Sequence, residues 1–125
     1  MNGTPRKKSD LGDRTTRFAE AAVAFAKRIP ITNVNASLVR QLVRASTSIG
    51  ANYAEANDAE SGPDFCHKMA ICRKEAGETK YWLRIVASAE PELKPEARAL
   101  WREANGLHLI FCKIVKDLKL KDRIQ

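Results

Sequence analysis

Apolar residues recur every three to four positions in four stretches of this chain, and proline or glycine stands at each break between them. That spacing stacks side chains on one face of an α-helix and is incompatible with the strict alternation of a half-buried strand. The first stretch spaces Phe18, Ala22, Phe25 and Ile29 by four, three and four, which predicts a helix over about 13–29. Asp13 is its candidate N-cap, and Pro30 ends it. The second places Leu38, Leu42, Ala45, Ile49, Tyr53 and Ala56 on one face over about 35–59, with Asn35 as candidate cap. Val39 and Val43 widen that apolar arc, so the helix must touch more than one neighbour.

Ser61-Gly62-Pro63-Asp64 is the clearest break. Gly62 can close one helix and Pro63 suits the first turn of the next. A third helix then runs to about residue 89 with Phe65, Met69, Cys72, Ala76, Thr79, Leu83 and Val86 as its core face. Pro91 and Pro95 bracket the next break. A fourth helix follows over about 95–118, carrying Leu100, Trp101, Ala104, Leu107, His108, Phe111, Ile114 or Val115, and Leu118. No strand pattern appears. Short connections favour antiparallel neighbours, so the expected fold is an all-α, up-down-up-down four-helix bundle. A length of 125 residues suits one domain: residues 1–12 form an N-terminal tail, 13–118 the bundle, and 119–125 a basic C-terminal tail. Gly50, Gly77 and Gly106 fall inside helices, each at a cost of about 1 kcal/mol relative to Ala. Close approach of two backbones would repay that cost.

Composition removes several classes of function. The longest apolar runs, such as 21–26 and 109–112, fall far short of the about 20 residues a membrane span needs. The basic N-terminus is not followed by an apolar signal core. A cytoplasmic location is the expectation. Cys66, Cys72 and Cys112 are odd in number, and the first two are six apart. They suit neither a disulfide framework nor a zinc or redox motif, and read as reduced, buried thiols. The net charge of +7 is the most informative bulk property, because it attracts polyanions.

Candidate chemistry is sparse. On the second helix Gln41, Arg44, Ser48, Asn52 and Glu55 follow one stripe at the edge of the core, and on the third Ile71, Glu75, Glu78 and Trp82 form a similar one. The sharp reading is an acid/base or metal site using Glu55, Glu75, Glu78 and His67. The bland one is a polar seam within or between subunits, formed by Ser48, Asn52, Glu55, Glu75 and Glu78, with Arg44 or Asn52 pairing a carboxylate. A di-iron bundle needs Glu-x-x-His motifs. Glu75 is followed three later by Glu78, and neither His67 nor His108 has a Glu three residues before it. Ser46, Thr47 and Ser48 have no histidine within helical reach, and His108 with Cys112 lies on or near an apolar face. All six glycines are isolated, so no phosphate loop exists. No catalytic residue, metal or cofactor is expected.

The cations are better organised. At 100° per residue Arg73, Lys80 and Arg84 fall within about 40° on the third helix, away from its core. Arg40 and Arg44 are one turn apart, as are Arg98 and Arg102, and Lys113, Lys116, Lys119, Lys121 and Arg123 enrich the C-terminal end. They read either as a solvated face or as phosphate contacts that hold a nucleic acid without reading its sequence. The first candidates are Arg73, Lys80 and Arg84, followed by Arg40, Arg44, Lys113 and Lys116. These cations are read as a set without aromatic interleaving, so stacking on single strands is not expected.

The segment Leu42-Val43-Arg44-Ala45-Ser46-Thr47-Ser48-Ile49-Gly50-Ala51-Asn52-Tyr53-Ala54-Glu55-Ala56 resembles the signature of the bacterial four-helix bundle proteins encoded in intervening sequences of 23S ribosomal RNA genes. Asp64-Phe65 and the stretch Lys74-Glu75-Ala76-Gly77-Glu78-Thr79-Lys80-Tyr81-Trp82-Leu83 are similar to the same family's third helix. The likeness spans roughly residues 15–118. Tyr53 and Ala56 depart from it, standing where many relatives carry Ile and Gly. The resemblance implies a left-handed up-down bundle assembling into a ring, a homopentamer. It extends to the accessory protein of diversity-generating retroelements, a basic pentameric barrel that works with a reverse transcriptase and nucleic acid. The family's biochemical role is not established, so no catalytic residue is carried over. A ring would multiply a modest basic patch into an avid one. The expectation is therefore a non-enzymatic, ring-forming protein that contacts RNA or DNA. The alternative is a scaffold whose partner is another protein.

Overall fold

The computed structural model describes residues 10–124. Among them are α1 (Leu11–Lys27), α2 (Ala36–Asn57), α3 (Gly62–Ala89) and α4 (Lys94–Ile124), with one 3-10 turn, Pro91–Leu93, between the last two. Consecutive helices pack against each other and α1 also meets α4, so the four close into a bundle. No described helix is long and apolar enough to cross a membrane.

The ends differ from the sequence expectation in instructive ways. α1 begins before Asp13, which sits inside the first turn at the positive end of the helix dipole instead of capping it. Residues 11 and 12, expected in the tail, are helical; residues 1–9 lie outside the described range. Asn35 stands at the N-cap of α2 yet makes no capping bond, because its side chain is buried and occupied elsewhere. Its Oδ1 accepts from the Thr32 N–H at 2.8 Å, and its Nδ2 donates to the Pro30 carbonyl at 2.9 Å and to Glu90 Oε2 at 3.0 Å. It therefore ties the α1–α2 loop to the end of α3. Gly62 does not close α2. It opens α3, where Ser61 Oγ caps by accepting from the Asp64 N–H at 3.1 Å.

The core follows the predicted faces. Phe18, Phe25, Leu42, Ile49, Met69, Leu83, Leu107 and Phe111 are buried together. The wide arc of α2 is largely covered within the chain: Val39 is buried, and Leu38 and Val43 pack half-buried against the core, with α1 and α3 both against this helix. Gly50 earns its place through close approach: a Cβ there would stand 3.2 Å from Thr15 Oγ1 and 3.6 Å from the Thr15 backbone. α1 has 17 residues against 31 in α4. It meets α4 through Arg28 with Glu96 and Arg14 with Glu103. The C-terminal half of α4 runs on past these contacts with Leu109 and Leu120 exposed.

Candidate nucleic-acid interface

Across the α2–α3 seam the charged side chains pair within the chain. Arg44 Nη1 bonds both oxygens of Glu75 at 3.1 and 3.2 Å, Nη2 pairs with Glu78, and Nε donates to Gln41 Oε1 at 2.9 Å. Glu75 and Glu78 are three apart and so share a helix face. Glu75 is buried. Burial on its own would lower the Arg44 pKa, but the hydrogen bonds and charges of Glu75 and Glu78 raise it above the usual value. Asn52 Nδ2 and Ser48 Oγ donate to backbone carbonyls one turn earlier in their own helix, at 2.8 and 2.7 Å. Glu55 is paired by Lys68 at 2.6 Å. The seam thus consumes its own charges, and Arg44 is a partner of carboxylates rather than a cation open to phosphate. Among the described residues no three His, Cys, Asp or Glu side chains are grouped to hold a metal ion.

The α3–α4 face is different. Arg73, Lys80 and Arg84 lie along it as the helical geometry predicts, but they serve two separate grooves. At the α3 C-terminal end a groove of about 590 Å³ is lined by Leu83, Arg84, Ala87, Ser88, Pro91, Lys94, Ala97, Arg98, Trp101 and Arg102. Nearer the α4 C-terminus a groove of about 290 Å³ is lined by Arg73, Cys112, Val115, Lys116, Lys119, Leu120 and Arg123. Neither is lined by a carboxylate. Between them Lys80 Nζ donates to Asn105 Oδ1 at 3.0 Å and stands 5.4 Å from the centre of the Trp101 ring. His108 lies over Gly77, whose Cβ would meet its ring at 3.4 Å. Burial, with the Lys80 and Arg73 charges behind it, lowers the His108 pKa. The acidic counterpart sits at the opposite turn, where Glu55, Asp58, Glu60 and Asp64 line a cleft with Lys68.

Other candidates fall outside this face or are engaged. Arg40 is exposed on α2 and lines neither groove. Lys113 pairs with Asp117 at 3.1 Å. Trp101 packs against the core as its spacing on α4 predicts, but it has a second place that the spacing does not give. Its ring is partly buried against the core, yet it also lines the groove among Arg84, Arg98 and Arg102. An aromatic does therefore interleave with the cations, and the contrary expectation is corrected. The signal was present as Arg98, Trp101 and Arg102 at i, i+3 and i+4, but Arg84 and Lys80 enter from another helix.

The family described as 23S rRNA-intervening sequence protein matches residues 7–113. Among solved structures, a protein of unknown function from the S23 ribosomal protein family of Bacteroides thetaiotaomicron is similar, with 31% identity and a TM-score of 0.74. The match covers 85% of this chain and 98% of that one. No curated protein matches.

Proposed function

This chain belongs to the 23S rRNA-intervening sequence protein family, and on that premise we propose that it is a non-enzymatic, oligomeric binding protein that holds RNA or DNA by its phosphates along the α3–α4 face. One observation carries this reading: the two grooves of that face bring together Arg73, Arg84, Lys94, Arg98, Arg102, Lys116, Lys119 and Arg123 with no carboxylate among their lining residues. Elsewhere Arg14, Arg28, Arg44, Lys68 and Lys113 are each neutralised by an acid. Uncompensated cations in a row are what a phosphate backbone needs.

Assembly into a ring, with five copies as the favoured number, would repeat this face and turn weak single contacts into avid binding. The support is apolar surface that the monomer leaves uncovered: Ile31 and Val34 in the α1–α2 loop are 60% and 78% exposed, and Leu109 on α4 is 61% exposed. The same loop favours a second reading, a scaffold whose partner is a protein. A partner captured equally well after nuclease treatment would support that alternative.

The deciding experiment is a filter-binding titration against RNA and DNA across salt concentrations. Each phosphate contact steepens the dependence of log affinity on log salt by about 0.7 to 0.9. A slope equivalent to several contacts is expected, and the absence of salt-sensitive binding overturns the reading. Light scattering on the same sample reports the number of copies.

A further inference from the structure

We propose, resting on the nucleic-acid reading above, that the groove between the C-terminal end of α3 and the N-terminal end of α4 takes single-stranded nucleic acid, with a base set against Trp101 and the flanking phosphates on Arg84, Arg98 and Arg102.

The lining decides between a strand and a duplex. A site for phosphates alone would be a rim of cations on a polar surface. This groove has such a rim in Arg84, Lys94, Arg98 and Arg102, but the partly buried Trp101 lies among those cations, with Leu83, Ala87 and Ala97 buried beneath it. It is an open groove, and its volume of about 590 Å³ is far more than a phosphate fills. A duplex keeps its base faces stacked inside and offers only phosphates and groove edges to a protein. An unpaired strand can bring an aromatic face and its neighbouring phosphates into one groove, and aromatic rings among cations are the recurring way such strands are held.

Trp101 is fixed for this role. Its ring carries Lys80 at 5.4 Å, and Lys80 is held by Asn105. The indole therefore does not need to be ordered when a ligand arrives, which removes one cost of binding. RNA and DNA share the chemistry used here, so the groove discriminates strandedness rather than sugar.

The test uses intrinsic fluorescence. The chain has two tryptophans, so a Trp82→Phe background leaves Trp101 as the sole reporter. Oligo(dT), oligo(U) and a blunt duplex of about 12 nucleotides, within the usual footprint of single-strand sites, are titrated at one salt concentration. Both single strands should quench Trp101 and bind about tenfold tighter than the duplex. Measured by filter binding, which needs no indole, Trp101→Leu should weaken single-strand binding about tenfold while leaving the salt slope unchanged, and Trp101→Phe should restore most of the loss. Equal binding of duplex and strand, with no quenching and no effect of Trp101→Leu, overturns the inference but leaves phosphate binding intact. Quenching by poly-glutamate as strong as by oligo(dT) also overturns it, in favour of an acidic protein partner. Absence of salt-sensitive binding to any nucleic acid removes the broader reading as well. If Trp101→Leu does not fold, the exposed Arg98→Glu and Arg102→Glu variants decide. Lost affinity and lost quenching support the groove, and unchanged affinity excludes it.

Discussion

Arg44 illustrates how a residue's role is set by what faces it across a helix boundary. Its guanidinium binds Glu75 and Glu78 from α3, and Glu75 is buried. Arg44→Leu would leave a buried carboxylate without its cation, and unfolding in urea should show a loss of about 2 kcal/mol. The partial exposure of Arg44 keeps that figure below the cost of breaking a fully buried pair. Replacing Glu75 with Leu in the same chain should recover most of the loss, because an apolar pair needs no compensation. A double variant as unstable as the single one would refute this account. Arg44 also marks the limit of what one sequence discloses. The edge position and the carboxylate pairing follow from 100° spacing on α2 and α3. Which cations escape such pairing does not, since that depends on how adjacent helices are rotated about their axes. Trp101 packs on the core as its spacing indicates, but its second place in a groove made by two helices lies beyond the spacing of one.

At the scale of elements, α4 gives the sharpest contrast between periodicity and structure. The apolar repeat stops at Leu118, which predicts a tail from residue 119, yet the helix continues to Ile124. Lys, Leu and Arg are good helix formers, and Lys121 and Arg123 stand in the last turn, at the negative end of the dipole. Periodicity reports burial, so it is silent about a helical turn that buries little. Residues 119–123 are all exposed. A chain ending at Leu118 should therefore keep its stability within about 0.5 kcal/mol. It should nonetheless lose affinity for nucleic acid, because Lys119 and Arg123 line the lower groove. The salt slope should fall by about 2 if each meets one phosphate. Unchanged affinity and slope would place the interface on the upper groove alone. The start of α2 errs the other way. Asn35 has the right identity for a cap, but its bond to Glu90 crosses from the α1–α2 loop to the end of α3, a pairing that spacing along one helix cannot reveal.

At the scale of the molecule, among the described residues, acid gathers at the α2–α3 turn, and the two grooves along α3 and α4 are lined by cations without a carboxylate. His108 sits within the basic side and connects it to pH. Burial, then Lys80 and Arg73, hold its pKa below that of a free histidine. The neutral ring is thus favoured in the folded chain. Well above about pH 6.5, the ordinary histidine value, neither state is protonated and the residue contributes no pH dependence. As pH falls below that value the unfolded chain takes up a proton that the folded chain resists, so stability declines. Denaturant midpoints at pH 7.5 and 5.5 should show this loss, and His108→Gln should reduce it; an identical loss in the variant would assign it to other groups. A bound polyanion works in the opposite direction. Phosphates near Arg73 and Lys80 offset the two charges that add to burial in opposing protonation, so the complex should take up the proton more readily than the free protein. By linkage, affinity for nucleic acid must then rise as pH falls from 7.5 to 5.5 while the free protein loses stability. Two pH trends of opposite sign, both diminished in His108→Gln, follow from the place of that ring between α3 and α4. If affinity in the variant rises with acid as steeply as in the parent, the polyanion does not reach this part of the face.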